Sequence, residues 1–408
     1  MVFVTTIFTL PAGQITGKYG FRKSLLIGQS IILFGIILSC ISLSTEMFFS
    51  ARILQGIGLA IANVAEMAII VLAISEENRG KALGIIVSGV YLGTSVSPVI
   101  CGFLVQHFGW RSLFLITIFF NTIGLILMLV KVKGEWKTNE NDKLDIKGMV
   151  LYMAGILLFI YGITILYDIK AIILVLLGLI LLVGFGFYEL QKKTPAFNVK
   201  LFKNHSFTLY NFAGLCGYLA VMAITTIFNY HFQIVRGWDP QITGLIMLIS
   251  PIVMTITAPN AGRLSDKHHP QKIATLGMLI TVFAFAILVF MEKNTPLYII
   301  ITAMVLEAIG MGLFSSPNMN AIMSSIDNKY AAHASASQLT MRAIGQTLSL
   351  SLMTLVFRLI MGSLDLTSNN YVLIVESSQL VCLICAIACI LAIIVSFAGL
   401  KLEKKISF

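Results

Sequence analysis

Ionisable side chains set within long apolar segments are the residues of this sequence best placed to do chemistry. The segment at 47–74 carries Arg52, Gln55, Asn63 and Glu66. At about 100° per residue they fall near 0°, 300°, 20° and 320° on a helical wheel, so all four share one narrow face. An ionisable group at the centre of a membrane helix costs roughly 2.5 to 3.5 kcal/mol on insertion scales, so one that persists faces a cavity or a partner. The face therefore predicts a wall open to water or to a bound solute. The alternative is that Arg52 snorkels to one interface and Glu66 to the other. The uncharged Gln55 and Asn63 gain nothing from snorkelling, and their presence on the same face favours the cavity.

The later segments add Glu307, Asn318, Arg342 and Glu376. A carboxyl that changes protonation as its surroundings alternate between wet and dry is suited to carrying protons, and Glu307 is the first candidate. Arg342 lies on a stripe with Gln338 and Gln346 at i, i+4 and i+8. Service to the cavity and structural pairing with a carboxylate or carbonyl are equally good readings of it. Glu376 enters the last apolar segment from its outer end.

These residues need a membrane around them. A chain of 408 residues that is 58% hydrophobic and only 11% charged cannot hide its apolar surface in a soluble core. About thirteen segments approach the ~20 residues that span a bilayer. The net charge of +10 does not indicate nucleic acid: taking alternate connections as cytoplasmic, 21 of the 28 Lys and Arg fall on that side and only four on the other. This positive-inside bias predicts a multi-pass cell-membrane protein with a cytoplasmic C-terminus. All six cysteines lie in spanning segments, where small-residue packing is the expected role. No Ser/His/Asp, zinc or phosphate-loop constellation exists, and no enzyme activity, cofactor, metal or nucleic-acid partner is expected. The runs Gly56-Ile57-Gly58 and Gly310-Met311-Gly312 lie mid-helix and are not nucleotide loops.

The elements that position the ionisable residues are duplicated. Gly13 to Lys23 (GQITGKYGFRK) resembles Gly262 to Lys272 (GRLSDKHHPQK), and Leu54-Gln55-Gly56-Ile57-Gly58 matches Leu306-Glu307-Ala308-Ile309-Gly310. A shift of 252 carries Gln55 to Glu307, Asn63 to Ser315 and Glu66 to Asn318, whereas Arg52 lands on Met304. Two related helical halves with a site between them are the architecture of secondary transporters. The expected division is 1–130 for the first half, 131–207 for a solvated linker and an inserted two-helix hairpin, 208–400 for the second half, and 401–408 for a cytoplasmic tail. The small residues Gly89, Gly93, Ser97 and Gly102, with Pro98, predict close approach to a second helix and a bend.

The loop Gly13-x-x-x-Gly17-Lys18-x-Gly20-x-Arg22-Lys23, the run Arg52-x-x-Gln55-Gly56-x-Gly58 and the run Gly93-x-x-x-Ser97-Pro98-x-x-Cys101-Gly102 resemble motifs of the major facilitator superfamily. Gly109-Trp110-Arg111, Leu144-Asp145-x-x-Gly148, Ser316-Pro317-Asn318 and the run Ala334 to Gln346 extend the resemblance, specifically to its drug:proton antiporters with 14 helices. It implies export of amphiphilic, drug-like small molecules in exchange for protons by alternating access, in a protein that works as a monomer. It assigns a cytoplasmic gate to Gly13, Lys18, Gly20, Arg22, Gly262, Asp266 and Lys267, proton tuning to Arg52, and an antiporter packing motif to the Gly89–Gly102 run. Three departures stand out. Gly17 replaces the acidic residue that Asp266 keeps in the second loop, and Ser97 and Cys101 replace glycines. The family's first helix, with its own acidic residue, has no counterpart here, so one helix is expected to be missing. The alternatives are a metabolite or siderophore exporter of the same fold, and an inactive, truncated membrane protein.

Overall fold

The computed structural model describes residues 2–138, 144–165, 169–192, 195–362, 364 and 366–406, with the side chains at 2, 98, 99, 102, 106, 169 and 402–406 outside the description. Among the described residues the chain is all helical, with no strand. The first half comprises α1 (Val2–Tyr19), α2 (Phe21–Cys40), α3 (Thr45–Ala73), α4 (Glu76–Phe108) and α5 (Ser112–Lys131). A hairpin of α6 (Ile146–Thr164) and α7 (Ile169–Leu190) follows. The second half begins with a rod broken into α8 (His205–Leu219) and α9 (Val221–Tyr230), then α10 (Pro240–Met247) leading into α11 (Ile249–Lys267). It closes with α12 (Pro270–Leu288), α13 (Leu297–Ser324), α14 (Ala331–Met361) and α15 (Tyr371–Ile406). Among the described residues, eleven of these rods are long and apolar enough to cross a membrane. The other two are α1, which holds Pro11 within its 18 residues, and the 33-residue α4. With a skin of exposed apolar residues such as Leu115, Phe119, Phe120 and Ile126, the chain is a multi-pass, all-α membrane protein.

Without a hydrophobic force between helices in lipid, close backbone packing holds such a bundle together. The repeat supplies it twice. α2 crosses α3 at Gly28 and Gly58, and α12 crosses α13 at Gly277 and Gly310. A Cβ added at any of the four would sit 2.5–2.8 Å from the partner glycine's carbonyl oxygen. The glycine runs that mimic nucleotide loops are thus helix crossings.

The halves meet through two further crossings at the end of the molecule that carries the repeated loops, hereafter the basic end. There α1 packs on α14 and α11 packs on α4. Phe21, Leu25, Ala62 and Ala65 of the first half share a buried cluster with Phe207, Tyr210, Ala331, Ala332 and Ala334 of the second. The hairpin helices pack on each other and, through α6, on α1 and α14. The linker before the hairpin is not wholly solvated, as the sequence suggested: Trp136 packs against the same cluster, its carbonyl accepts from Phe21 N at 2.9 Å, and Thr138 N donates to Gly17 O at 3.1 Å.

Candidate functional site

A cavity lies between the halves in two connected chambers of about 700 and 330 Å³ that share Val90, Tyr91, Arg342 and Gln346. The larger is bounded mainly by apolar and aromatic side chains of α4, α8, α9, α11 and α13, with Asn229 and Gln233 among them. The smaller adds Thr5, Thr9, Asn63 and Glu66. Its ionisable groups come from three helices: Glu66 on α3, Glu307 on α13, which is 5% exposed, and Arg342 on α14. Arg342 places its guanidinium 5.1 Å from the ring centre of Tyr218. Among the described residues no ion pair joins it to Glu66 or Glu307. Two carboxyl groups and one guanidinium therefore face a largely apolar space without neutralising each other in fixed pairs. Such a set can change protonation or meet a charged solute.

The four-residue face of α3 divides. Asn63 and Glu66 reach the cavity, but Gln55 turns into the α2–α3 contact, donating to Gly35 O and Ser39 Oγ at 2.9 Å each. Arg52 donates to Gln55 Oε1 at 3.0 Å and rests over the rings of Phe48 and Phe114 at 4.9 and 5.2 Å. The expectation that all four line one cavity is corrected for Gln55, which is 4% exposed, while the half-exposed Arg52 is engaged at the α2 and α5 end of the helix. The helix runs 29 residues past changing neighbours, so a single face meets α2 and α5 at one end and the cavity at the other. Two other expected positions also lie elsewhere. Glu376 is exposed on the outer surface of α15. Asn318 is fully buried beside Gly214 of α8.

The small-residue run on α4 is corrected as well. Gly89 and Gly93 have nothing within 4 Å of an added Cβ, and Ser97 is exposed; the side-chain surroundings of Pro98 and Gly102 lie outside the described residues. The face of α4 that packs is Gly80, Gly84 and Ser88, where α11 crosses.

That crossing carries the second of the two repeated loops. Gly262 sits against the backbone of Gly80 and Gly84, with no room for a Cβ. One turn on, the Asp266 carboxylate accepts from Gly80 N at 2.6 Å and Lys81 N at 2.8 Å in the second turn of α4, a negative charge near that helix's positive end. Lys267 is exposed beside it. The crossing at the first loop repeats the geometry: Gly13 meets Ala332 and Ala336, the residues 252 positions after Gly80 and Gly84. There Gly17 stands where the second loop has Asp266, and no carboxylate from this loop reaches α14. Gly20, at φ 104°, turns α1 into α2. Glu135 then accepts from the amides of Arg22 and Lys23 at 2.9 and 3.2 Å, while the Arg22 guanidinium donates to Val132 O and Leu129 O at the end of α5. Lys18 is half-buried with its ammonium 5.8 Å from the Tyr19 ring.

Sequence reasoning missed Tyr91 and Tyr218, whose rings flank the cavity charges, and Arg79. Arg79 is 1% exposed and donates to Val71 O at the end of α3 and to Asn328 Oδ1 across the halves. Nothing in composition separates it from the other basic loop residues. For Tyr91 the available signal is its place two helical turns beyond Gly84, on the face of α4 that looks toward the second half.

A family model described as the Major Facilitator Superfamily matches residues 1–350. The chain is 27% identical to the riboflavin transporter RibZ of Clostridioides difficile, over all of this chain and 89% of that protein. It is 25% identical to the multidrug resistance protein Stp of Mycobacterium tuberculosis, over 85% of this chain but only 65% of that protein. Among solved structures, the human organic anion transporter MFSD10 superposes with a TM-score of 0.68 at 11% identity, covering 95% of this chain and 81% of that one. With two glycine-paired halves, two inter-half crossings and a mostly apolar cavity between them that holds a few ionisable groups, the chain belongs to the Major Facilitator Superfamily.

Proposed function

We propose that this chain exports amphiphilic, drug-like small molecules across the cell membrane in exchange for protons, by alternating access. The observation that carries the reading is one cavity that combines mostly apolar and aromatic walls with Glu66, Glu307 and Arg342. Apolar walls accept many amphiphiles without strict geometry. A carboxyl held in a dry wall exchanges its proton when the wall becomes wet or a cation arrives beside it. In this reading Glu307 is the coupling group, Glu66 a second carrier of proton or substrate charge, and Arg342 the cation that keeps either carboxyl from being too costly to ionise. The positive-inside bias supports a cytoplasmic basic end and C-terminus, and in this reading Asp266 holds the gate there. The cavity's walls then extend outward to Gln233, Pro240 and Gly244. Each half contributes to the cavity, so one chain makes a complete site.

A narrower reading, transport of a flavin-like metabolite, is favoured by the riboflavin transporter's match along the whole of this chain. Tyr91, Tyr218 and Phe228 offer faces to a planar ring, and Asn229, Gln233 and Gln346 offer amides to hydroxyl groups.

One experiment separates these readings. The purified chain is placed in vesicles with an imposed pH gradient, and internal pH is followed as lipophilic cations or riboflavin are added. The expected result is proton movement with lipophilic cations that falls about tenfold or more in Glu307→Gln, equivalent to about 1.4 kcal/mol of barrier. Unchanged movement in that variant overturns the role of Glu307. A response to riboflavin alone replaces drug export with the narrower reading, and substrate movement without protons overturns the coupling.

A further inference from the structure

The hairpin meets the first repeated loop at a polar junction that the transport reading does not use. Asp145 caps α6: its Oδ1 accepts from Gly148 N and from the Tyr188 hydroxyl, each at 3.1 Å. Its own amide donates to Gln14 Oε1 at 3.0 Å, and Gln14 Nε2 donates to Pro195 O at 3.1 Å. Glu189, at the end of α7, is 2% exposed, and Asp145 is 9% exposed. A Cβ at Gly148 would lie 3.1 Å from Asp145 Oδ2 and would overlap Glu189 Oε1, so the two carboxylates face each other across that glycine. Asp145 Oδ2 completes no hydrogen bond; the Glu189 oxygens face the Phe197 and Ala196 amides short of good hydrogen-bond geometry and feel the more distant Lys192 charge.

Two buried carboxylates side by side repel and are poorly solvated, so they need a positive charge between them. The chain does not supply one within ion-pair distance among the described residues. Lys192 is exposed, with its ammonium 4.6 Å from the Tyr188 ring. From α14 the neighbour is His333, edge-on to Phe197 at 5.7 Å. From α1 it is the neutral Gln14. The repeat makes this omission visible, because the residue equivalent to Gln14 in the second loop is Arg263.

We propose that Asp145 and Glu189 bind one small hard cation, sodium or a proton, at this junction, and that the bound cation fastens the hairpin to α1 beside Gln14. Anionic oxygen donors favour a compact hard charge over a soft metal. A ligand that binds the fastened form stabilises it by mass action.

The test needs no transport readout and so stands apart from the proposed function. Thermal unfolding of the full chain in detergent is followed at about pH 8.5, well above ordinary carboxyl titration, with sodium chloride against choline chloride at equal ionic strength. A choline sample is then acidified to about pH 6. The melting temperature is expected to rise by several degrees with sodium in the unsubstituted protein. Glu189→Gln removes the response. Gln14→Arg also removes it but melts high throughout, because the guanidinium supplies the charge. If sodium has no effect and acidification reproduces the same pattern across the variants, the cation is a proton. Indifference of the unsubstituted protein to both, or a response that survives in Gln14→Arg, overturns the proposal. Should Glu189→Gln fail to fold, Gln14→Arg alone decides it.

Discussion

The two inter-half crossings are built on one repeated loop and are held in different ways. At α11–α4 the loop does everything: Gly262 brings backbone against backbone, and Asp266 accepts from two amides of the facing helix. At α1–α14 the glycine contact is looser, with Ala336 Cβ 3.1 Å from a methyl added at Gly13, and Gly17 offers no charge. That side is instead buttressed from outside the repeat, by Trp136, Thr138 and the hairpin junction at Gln14. The difference shows that two crossings of like geometry can be held by different partners, one by a carboxylate of its own loop and the other by a segment that covers the loop.

Substitutions at paired positions break or sharpen this comparison. The largest effect is expected from Gly262→Ala, where the new methyl overlaps the Gly80 carbonyl, at about 3 kcal/mol or more of folding stability. Gly13→Ala is expected to cost about 1 kcal/mol or less, and equal losses of melting temperature in the two variants would show that the crossings are equivalent after all. Next in size is Asp266→Asn, which removes a charged acceptor from two amides and is expected to cost about 1.5–3 kcal/mol. Combined with Leu264→Cys at an exposed position of the same loop, it should quicken thiol labelling from the basic end; an unchanged rate would mean that the carboxylate does not hold the gate. The smallest effect belongs to Gly17→Asp, which restores the missing carboxylate opposite the first turn of α14. It should stabilise by under about 1 kcal/mol. A clear loss of stability there would show that the linker already occupies the space the carboxylate needs.

Much of this architecture was legible in the sequence because the repeat and the run of long apolar segments report on backbone topology, which side-chain detail does not disturb. The two loops, the glycine runs and the hairpin all stand where the chain indicated. The cavity was only half legible. Asn63 and Glu66 reach it, yet Gln55 and Arg52 on the same helical face do not, since angular position says nothing about which neighbour a tilted helix meets at each depth. The run Gly89 to Gly102 was read as packing because small residues permit contact, but permission is not occupancy, and Gly80 and Gly84 hold the contact instead. Arg79 was illegible for the opposite reason: a basic residue in a basic loop looks solvated until the fold buries it.

The glycine pairs Gly28–Gly58 and Gly277–Gly310 carry a mechanical consequence. Where carbonyl oxygen meets α-carbon directly, no side chain lies between the helices to change rotamer and take up a displacement. The α2–α3 and α12–α13 pairs therefore behave as welded joints, and any load applied to one end of either pair is delivered undamped to the other. Slack has to come from elsewhere in the chain, and the break between α8 and α9 provides some. There Ala223 N has left the helical ladder and is held at 2.8 Å by the Ser349 hydroxyl, a single bond that can stretch or be exchanged for water without unravelling a turn.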